Sequence, residues 1–321
     1  MAGSWFISPG RLRELGVLGL NQRNGRFMLP NNPRRLYQRV DDKITTKELA
    51  SAAGITVPET YALVRETGAI RSSHDRLGEC ADFVVKPSRG SGGKGIIVIS
   101  EREGEEYIKP SGARVTRSEM EWHLTNILGG LFSLGGHRDS AIVEYRVKPV
   151  EIFSRMAQHG MPDIRVVLFH GYPVMAMLRL ATRASDGRAN LHQGAVGVGI
   201  CVRSGRALHA VCRGNVVSLH PDTRFPLHEI EIPDWPELLN LAARCYDVTG
   251  LGYIGADMMV DSTHGPMLIE INARPGLSIQ VANGRGLRHR LEAVAEQARH
   301  RESPETSLKR VEFSRKAFAD Q

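Results

Sequence analysis

Apolar and polar positions divide this chain into a helix-and-hairpin stretch and a strand-rich one. From residue 141 onward, short runs rich in Val, Ile, Leu, Met and aromatic residues recur at 141–145, 164–169 and 174–179, and Gly-punctuated runs follow from 197 to 212. Such runs, bounded by Gly, Pro, Asn and Asp, predict antiparallel strands. Upstream, residues 82–87 and 95–99 predict a hairpin around a glycine loop. A helix is predicted from residue 42, with Thr45 and Glu48 at capping-box spacing and Gly54 past its end. Ser118 and Glu121 repeat that spacing before a helix ending at Gly129-Gly130, and Trp235-Pro236-Glu237 opens one that runs to about Val248, ahead of Gly250. Residues 1–40 mix Pro, Gly, Asn and Arg and predict an irregular arm with one short helix near Arg11. From Gly286 the pattern is helical and then strongly charged, a mobile tail beyond about Glu302.

Carboxylates interrupt two of the apolar runs. Asp257 lies within residues 253–260, and Glu270 and Asn272 lie within 267–272. Isolated carboxylates buried among Met, Val and Ile cost several kcal/mol each unless they are paired or bind a cation. The intervening Asp261-Ser262-Thr263-His264-Gly265-Pro266 reads as a hairpin turn. Glu270 and Asn272, two residues apart, share a strand face, and the hairpin brings Asp257 opposite them. Carboxylate and amide oxygens without Cys or His suit Mg²⁺ or Mn²⁺. A plain hairpin with polar edge positions is the other reading of the same pattern.

The loop Ser88-Arg89-Gly90-Ser91-Gly92-Gly93-Lys94-Gly95 follows Lys86, the one charge inside an apolar strand. Its glycines let backbone N–H groups approach phosphate oxygens, although a flexible surface hairpin has the same composition. It is not a P-loop, because the Gly-x-x-x-x-Gly-Lys-Ser/Thr spacing is missing.

Composition narrows the function classes. The chain has 321 residues, enough for one large or two medium domains, and no apolar stretch approaches the roughly 20 residues of a membrane span. Its first residues lack the basic start and apolar block of a secretory signal, and Cys80, Cys201, Cys212 and Cys245 show no Cys-x-x-Cys spacing. Both features predict a cytoplasmic protein with free thiols. A net charge of +7, with Arg11, Arg13, Arg23, Arg26, Arg34, Arg35 and Arg39 near the start, predicts anionic partners. No nucleic-acid-binding motif accompanies that charge.

Six segments in order resemble the ATP-grasp superfamily, and more closely the RimK-type α-L-glutamate ligases, over about residues 40–285. They are Asp42-Lys43; Gly54-Ile55-Thr56-Val57-Pro58; Val84-Val85-Lys86-Pro87 with the glycine loop; Asp163-Ile164-Arg165-Val166; Asn190-Leu191-His192-Gln193-Gly194; and Glu270-Ile271-Asn272-Ala273-Arg274-Pro275-Gly276. The resemblance implies an α+β ATP-grasp fold, two α+β subdomains whose antiparallel sheets clamp ATP. It divides the chain into a basic arm (1–40), an ATP-grasp domain (41–285, lid about 72–145 and catalytic subdomain about 146–285), and a C-terminal helix with a charged tail (286–321). Only 42 residues precede Lys43, so the N-terminal domain that such enzymes usually carry is expected to be absent or reduced to the arm.

Residue roles follow from the same resemblance. Lys43 and Lys86 would contact phosphates, with Ser91, Gly92 and Gly93 as the lid above them; Lys43, in an Asp-Asp-Lys cluster, is equally read as a surface lysine. Glu144, Tyr145, Arg146 and Val147 would form the adenine hinge through backbone groups, and Glu151, seven residues after Glu144, would hold the ribose. Arg165, Arg179, Asn190 and Arg274 are the implied catalytic groups, with an ion pair to Asp163 as the alternative for Arg165. Arg183, Arg188 and His192 are implied substrate contacts; His192 reads either as a general base or as a structural histidine. Asp257, Glu270 and Asn272 would hold two Mg²⁺, Glu270 bridging them.

The implied activity is an ADP-forming carboxylate–amine ligase that works through an acyl phosphate, adding a glutamate-like amino acid to an amino-acid, peptide or protein acceptor. A second subunit or a partner would complete the substrate site if the N-terminal domain is missing. Competing readings are an ATP-dependent phosphotransferase and a cell-envelope or polysaccharide-associated ATP-grasp enzyme. A nucleic-acid-binding module ranks last, since it leaves the Asp257, Glu270 and Asn272 trio unexplained.

Overall fold

The computed structural model describes residues 7–90, 92–156, 160–300 and 303–319. The chain forms two compact units, one from Met1–Val40, Leu49–Thr56 and Pro149–Gln321, the other from Asp41–Glu48 and Val57–Lys148.

The second unit contains strands β1 (Thr60–Val64), β2 (Phe83–Pro87), β3 (Ile97–Ile99), β4 (Glu101–Glu103), β5 (Glu106–Ile108), β6 (Arg114–Val115) and β7 (Ala141–Glu144). They form an antiparallel sheet in the order β1-β7-β2-β3 and a smaller one in the order β4-β5-β6. Phe83 and Val85 alternate onto one face of β2 and join Val64, Leu77, Ile99, Met120, Leu124, Ile127 and Val143 in the core. Lys86 falls on the opposite face, yet it too is buried.

Two helix starts differ from the sequence expectation. The helix Lys43–Ala52 begins where Asp42 Oδ1 accepts the Ile44 N–H at 2.9 Å, so Thr45 and Glu48 lie inside the helix and form no box. The helix Arg117–Leu128 is boxed by Thr116 and Glu119 rather than by Ser118 and Glu121. Thr116 is the residue that holds an extended backbone while its hydroxyl accepts the Glu119 N–H.

The first unit holds β8 (Asp163–Phe169), β9 (Tyr172–Leu180), β10 (Val196–Ile200), β11 (Ala207–Cys212), β12 (Asn215–Val216), β13 (Tyr253–Asp261) and β14 (Gly265–Asn272), in the antiparallel order β12-β11-β10-β9-β8-β13-β14. His170 and Gly171, both at positive φ, make the tight β8–β9 turn. On β10, a Cβ at Gly199 would stand 2.6 Å from the Ala282 carbonyl oxygen. The bare strand lets the helix Ser278–Asn283 lie directly against it.

The N-terminal segment is not an irregular arm. It carries the helices Pro9–Glu14 and Leu20–Gln22 and a π-helical turn Arg23–Met28. Leu18, Phe27 and Met28 are buried. Asn32 Nδ2 donates to the carbonyls of Tyr253 (2.7 Å) and Ala273 (3.3 Å), while Asn32 Oδ1 accepts the Tyr253 N–H (2.8 Å). Arg23 Nη1 donates to the Pro275 carbonyl at 2.8 Å. These bonds replace the pairing that a neighbouring strand would have supplied.

The expected mobile tail is also a helix, Ser307–Ala317, capped by Thr306. Its Arg310 is buried, pairs with Asp247 at 2.6 Å and donates to the Ala243 carbonyl, and Val311 and Phe318 complete the seal. Lys309, Glu312 and Lys316 are exposed, a charged face that composition alone does not separate from a tail. No helix among the described residues is long and apolar enough to cross a membrane.

Asn32→Ala strips three buried backbone groups of their partners at once. We predict a loss of about 2–4 kcal/mol, read as a lower urea midpoint with unchanged m-value. A midpoint within experimental error of wild type would mean that the N-terminal segment does not hold the sheet.

Candidate active site

In the second unit, Lys86 on β2 and Glu144 at the end of the adjacent β7 meet on the sheet face away from the hydrophobic core. Lys86 Nζ lies 2.5 Å from Glu144 Oε1, and Lys47 Nζ lies 2.5 Å from Glu144 Oε2. The relative exposures are 5% for Lys86, 4% for Glu144 and 8% for Lys47, so water screens little of this attraction. Burial alone would push the Glu144 carboxyl up, but the two ammonium groups outweigh it and hold the carboxyl below the usual range. Burial pulls the Lys47 ammonium down, against the attraction of Glu144. Two cations share one anion, leaving one positive charge in surplus.

Lys47 escaped the sequence reading. The signal was its spacing, four residues beyond Lys43 on the same helix face, which turns it toward the sheet. Lys43 itself is half-buried and donates from Nζ to the Gly90 carbonyl at 2.8 Å, while its backbone N–H donates to Ser88. It braces the glycine loop instead of joining Lys86.

Further bonds fix that loop's base. Ser88 Oγ donates to Asp42 Oδ1 at 2.5 Å, and Arg89 Nε reaches Asp42 Oδ2 at 3.2 Å. The Arg89 N–H donates to the Asp139 carboxylate, which also accepts from Ser133 Oγ at 2.5 Å. Burial acts to raise the Asp42 carboxyl, but bonds from Ser88, the Ile44 N–H and Arg89 leave it below its ordinary value. Gly92 and Gly93 hold positive φ, with no atom within 4 Å of where a Cβ would stand, so backbone is what this part of the loop presents. Ser91 lies outside the described residues.

The hinge differs in part from expectation. The Tyr145 N–H is already given to the Glu59 carbonyl at 2.8 Å, so it cannot serve adenine as a free donor. Arg146 pairs with Asp82 at 3.1 Å, and Val147 is buried. Glu151 opens the short helix Glu151–Met156 of the first unit and is exposed.

The first unit carries its own cluster on neighbouring strands. Cross-strand register places Asp257 opposite both Arg165 and Glu270, Asp163 opposite Arg179, and Gly255 opposite Asn272. Arg165 grips Asp257 with two bonds, Nε to Oδ1 at 2.7 Å and Nη2 to Oδ2 at 2.6 Å. Asp257 Oδ2 also accepts from Arg179 Nη2 at 3.1 Å and from Asn272 Nδ2 at 2.9 Å. Arg165 therefore pairs with Asp257 and not with Asp163, whose partner is Arg179. Although burial favours its neutral form, Asp257 is held at about 2 by Arg165 and Arg179. Asp163 moves the other way, raised by burial beyond what Arg179 restores. Asp163 Oδ1 and Arg179 Nε are buried without a hydrogen-bond partner, so the cluster retains polar capacity that its own residues do not fill.

The remaining expected residues stand apart from these pairs. Asn190 caps the turn Leu191–Gln193 by accepting the His192 N–H at 3.0 Å. Arg183 and Arg188 are exposed, the latter 3.7 Å from Asp186. Exposed His192 places Nε2 3.3 Å from Ser278 Oγ. Arg274 stacks over the Tyr37 ring at 4.9 Å.

Among the described residues, no group of three or more His, Cys, Asp or Glu side chains could hold a metal ion. The trio offers two carboxylates and one amide. Because Asn272 gives its nitrogen to Asp257, its Oδ1 is the atom that can face a cation. Asp257 Oδ2 already accepts three bonds, so Asp257 Oδ1 and Asn272 Oδ1, with the Glu270 carboxylate, are the oxygens that suit a hard ion such as Mg²⁺, which keeps water and phosphate oxygens as its other ligands.

Residues 22–296 match the family model described as sugar-transfer associated ATP-grasp. The chain is 22% identical over 305 residues to a probable alpha-L-glutamate ligase 1 of Hahella chejuensis, covering 95% of this chain and 76% of the relative. It is 26% identical over 300 residues to a probable alpha-L-glutamate ligase of Thioalkalivibrio sulfidiphilus, covering 91% and 72%. Among solved structures, the ATP-grasp ligase PsnB complexed with a minimal precursor aligns at a TM-score of 0.46 and 15% identity. The alignment covers 84% of this chain and 63% of PsnB, less than two thirds of its length.

The Glu144 carboxyl has a lower pKa folded than unfolded. Its contribution to stability is complete above about pH 4.3 and declines as pH falls toward the folded value. We predict that Glu144→Gln lowers the neutral-pH urea midpoint and flattens its decline between about pH 5 and pH 3. Parallel wild-type and variant curves over that range would show that this carboxyl does not govern the acid limb.

Proposed function

The chain belongs to the sugar-transfer-associated ATP-grasp family and is an ATP-grasp ligase, and from that premise we propose that it activates a carboxylate with ATP and joins it to an amine. The observation that carries this reading is the Arg165 and Arg179 pair gripping Asp257 beside Glu270 and Asn272. Cationic groups and hard oxygen donors stand together there, as phosphoryl transfer to a carboxylate requires.

A carboxylate resists amines in water because the leaving group would be oxide. In the proposed first step, a substrate carboxylate oxygen attacks the γ-phosphorus of ATP, and the bond to the bridging oxygen breaks to release ADP. Lys86 and the backbone of Gly92 and Gly93 bind phosphate oxygens, and Lys43 holds the base of that loop through Gly90. Arg165 and Arg179 neutralise charge on the transferred group and on the acyl phosphate. The amine nitrogen then attacks the acyl carbon, inorganic phosphate leaves, and the nitrogen loses its proton as the amide forms. Asp257, Glu270 and Asn272 would hold Mg²⁺, which supplies charge neutralisation at the phosphates.

The finer assignment is a glutamate-like amino acid added to an amino-acid, peptide or protein acceptor, in the cytoplasm where ATP is available. The likeness to probable alpha-L-glutamate ligases supports it. One observation favours a second reading, in which a glycan carries the carboxylate or the amine: the family is described as associated with sugar transfer.

A coupled ADP-release assay over paired panels of carboxylates and amines, including amino acids and amino sugars, tests the proposal. ADP release is expected only when both partners are present and is expected to stop with EDTA. Glu270→Gln should lower kcat/KM by about a hundredfold or more. A stable phosphorylated product formed without an amine, seen by mass spectrometry, would replace the ligase with a phosphotransferase.

A further inference from the structure

The Lys47, Glu144 and Lys86 triad holds more positive charge than its carboxylate needs. Each ammonium takes a separate oxygen, Lys47 at Oε2 and Lys86 at Oε1, both at 2.5 Å. All three side chains are at least nine-tenths buried, at relative side-chain exposures of 10%, 6% and 6%. A buried carboxylate stripped of every cation becomes an uncompensated charge, which protein interiors tolerate poorly. Lys86 can therefore leave Glu144 for an incoming anion only if another cation stays behind.

We propose that Lys47 is a positioning residue for nucleotide binding, retaining Glu144 while Lys86 exchanges its carboxylate partner for a phosphate oxygen of ATP or ADP. The inference rests on the reading of Lys86 as a phosphate contact. Before nucleotide arrives, Glu144 keeps Lys86 oriented within the sheet; afterwards Lys47 and Glu144 remain as a neutral pair, and the surplus charge of the triad is matched by phosphate. The three groups reach one point from separate places in the fold, the helix Lys43–Ala52, β7 and β2. Two-point attachment leaves the carboxylate in place when one cation moves. Burial already weakens the hold of Lys47 on its proton, and Lys86 weakens it further, so withdrawing Lys86 toward phosphate strengthens the pair that remains.

Calorimetric titration of the full chain with ADP tests the exchange, with thermal melts to establish which variants fold. Lys47→Met is expected to weaken ADP binding by about tenfold or more, because Lys86 is then needed at Glu144, and Lys47→Arg is expected to retain most of the affinity. In a Glu144→Gln background no buried carboxylate remains to be held, so adding Lys47→Met should change the ADP Kd by less than about twofold. A purely structural role for Lys47 would carry its full cost into that background. If Lys47→Met alone does not fold, the comparison between Glu144→Gln and the double variant decides: equal affinities support the exchange, and a tenfold loss overturns it. Lys86→Met separates the two levels of the argument. Wild-type ADP affinity in Lys86→Met would refute its phosphate role and the exchange with it, whereas loss in Lys86→Met with none in Lys47→Met would refute the exchange alone.

Discussion

A carboxylate enclosed in a sheet needs a cation against it, and both polar clusters of this protein are arranged around that requirement. Glu144 in the second unit is held by Lys47 and Lys86. Asp257 in the first unit is held by Arg165 and Arg179. Each carboxylate has two cationic neighbours, and the type of cation differs between them. The guanidinium of Arg165 takes both oxygens of Asp257 in a fixed fork, which suits a rigid strand-to-strand link. Ammonium groups are point charges on flexible stems, suited to changing partners. The fork fixes the first cluster by geometry, and the second is held by burial and charge alone.

Secondary structure supplies the precision. Asp257, Arg165 and Glu270 are brought together by register alone, because residues facing each other on neighbouring antiparallel strands project to the same side. A slip of one residue in β13 would turn Asp257 to the other face and break the bonds it makes with Arg165, Arg179 and Asn272. The irregularity between Asp257 and Met258 lies immediately beside this point, where the β13–β14 register shifts. Bulges of this kind commonly sit next to functional groups, where they re-aim a side chain.

How much of this was legible in the sequence depended on the range of the interaction. Strands β2, β8, β9, β13 and β14 stood out because their apolar runs are bounded by turn residues, and the β13–β14 hairpin followed from a short polar turn. The oxygen-rich trio was legible for the same local reason. Partners of the arginines were not, since Arg165 and Asp257 are 92 residues apart and nothing in either segment selects the other. Lys47 was hidden by its surroundings, a polar helical stretch with several residues of equal claim. Asn32 was hidden by its type, because Asn in a Pro- and Arg-rich segment reads as a turn former until its distant partners Tyr253 and Ala273 are known. The last helix was mistaken for a tail because its buried face rests on Val311, Phe318 and a paired Arg310, too few apolar residues to announce an amphipathic element.

The bonds from Asn32 to Tyr253 and from Leu18 to Gln280 join residues 221 and 262 positions apart. During synthesis, the second unit can form from nearly contiguous chain once residue 148 has emerged. The N-terminal segment must then wait, with Phe27 and Met28 uncovered, until the far end of the first unit is made. A segment made before the second unit is thus among the last to find its place.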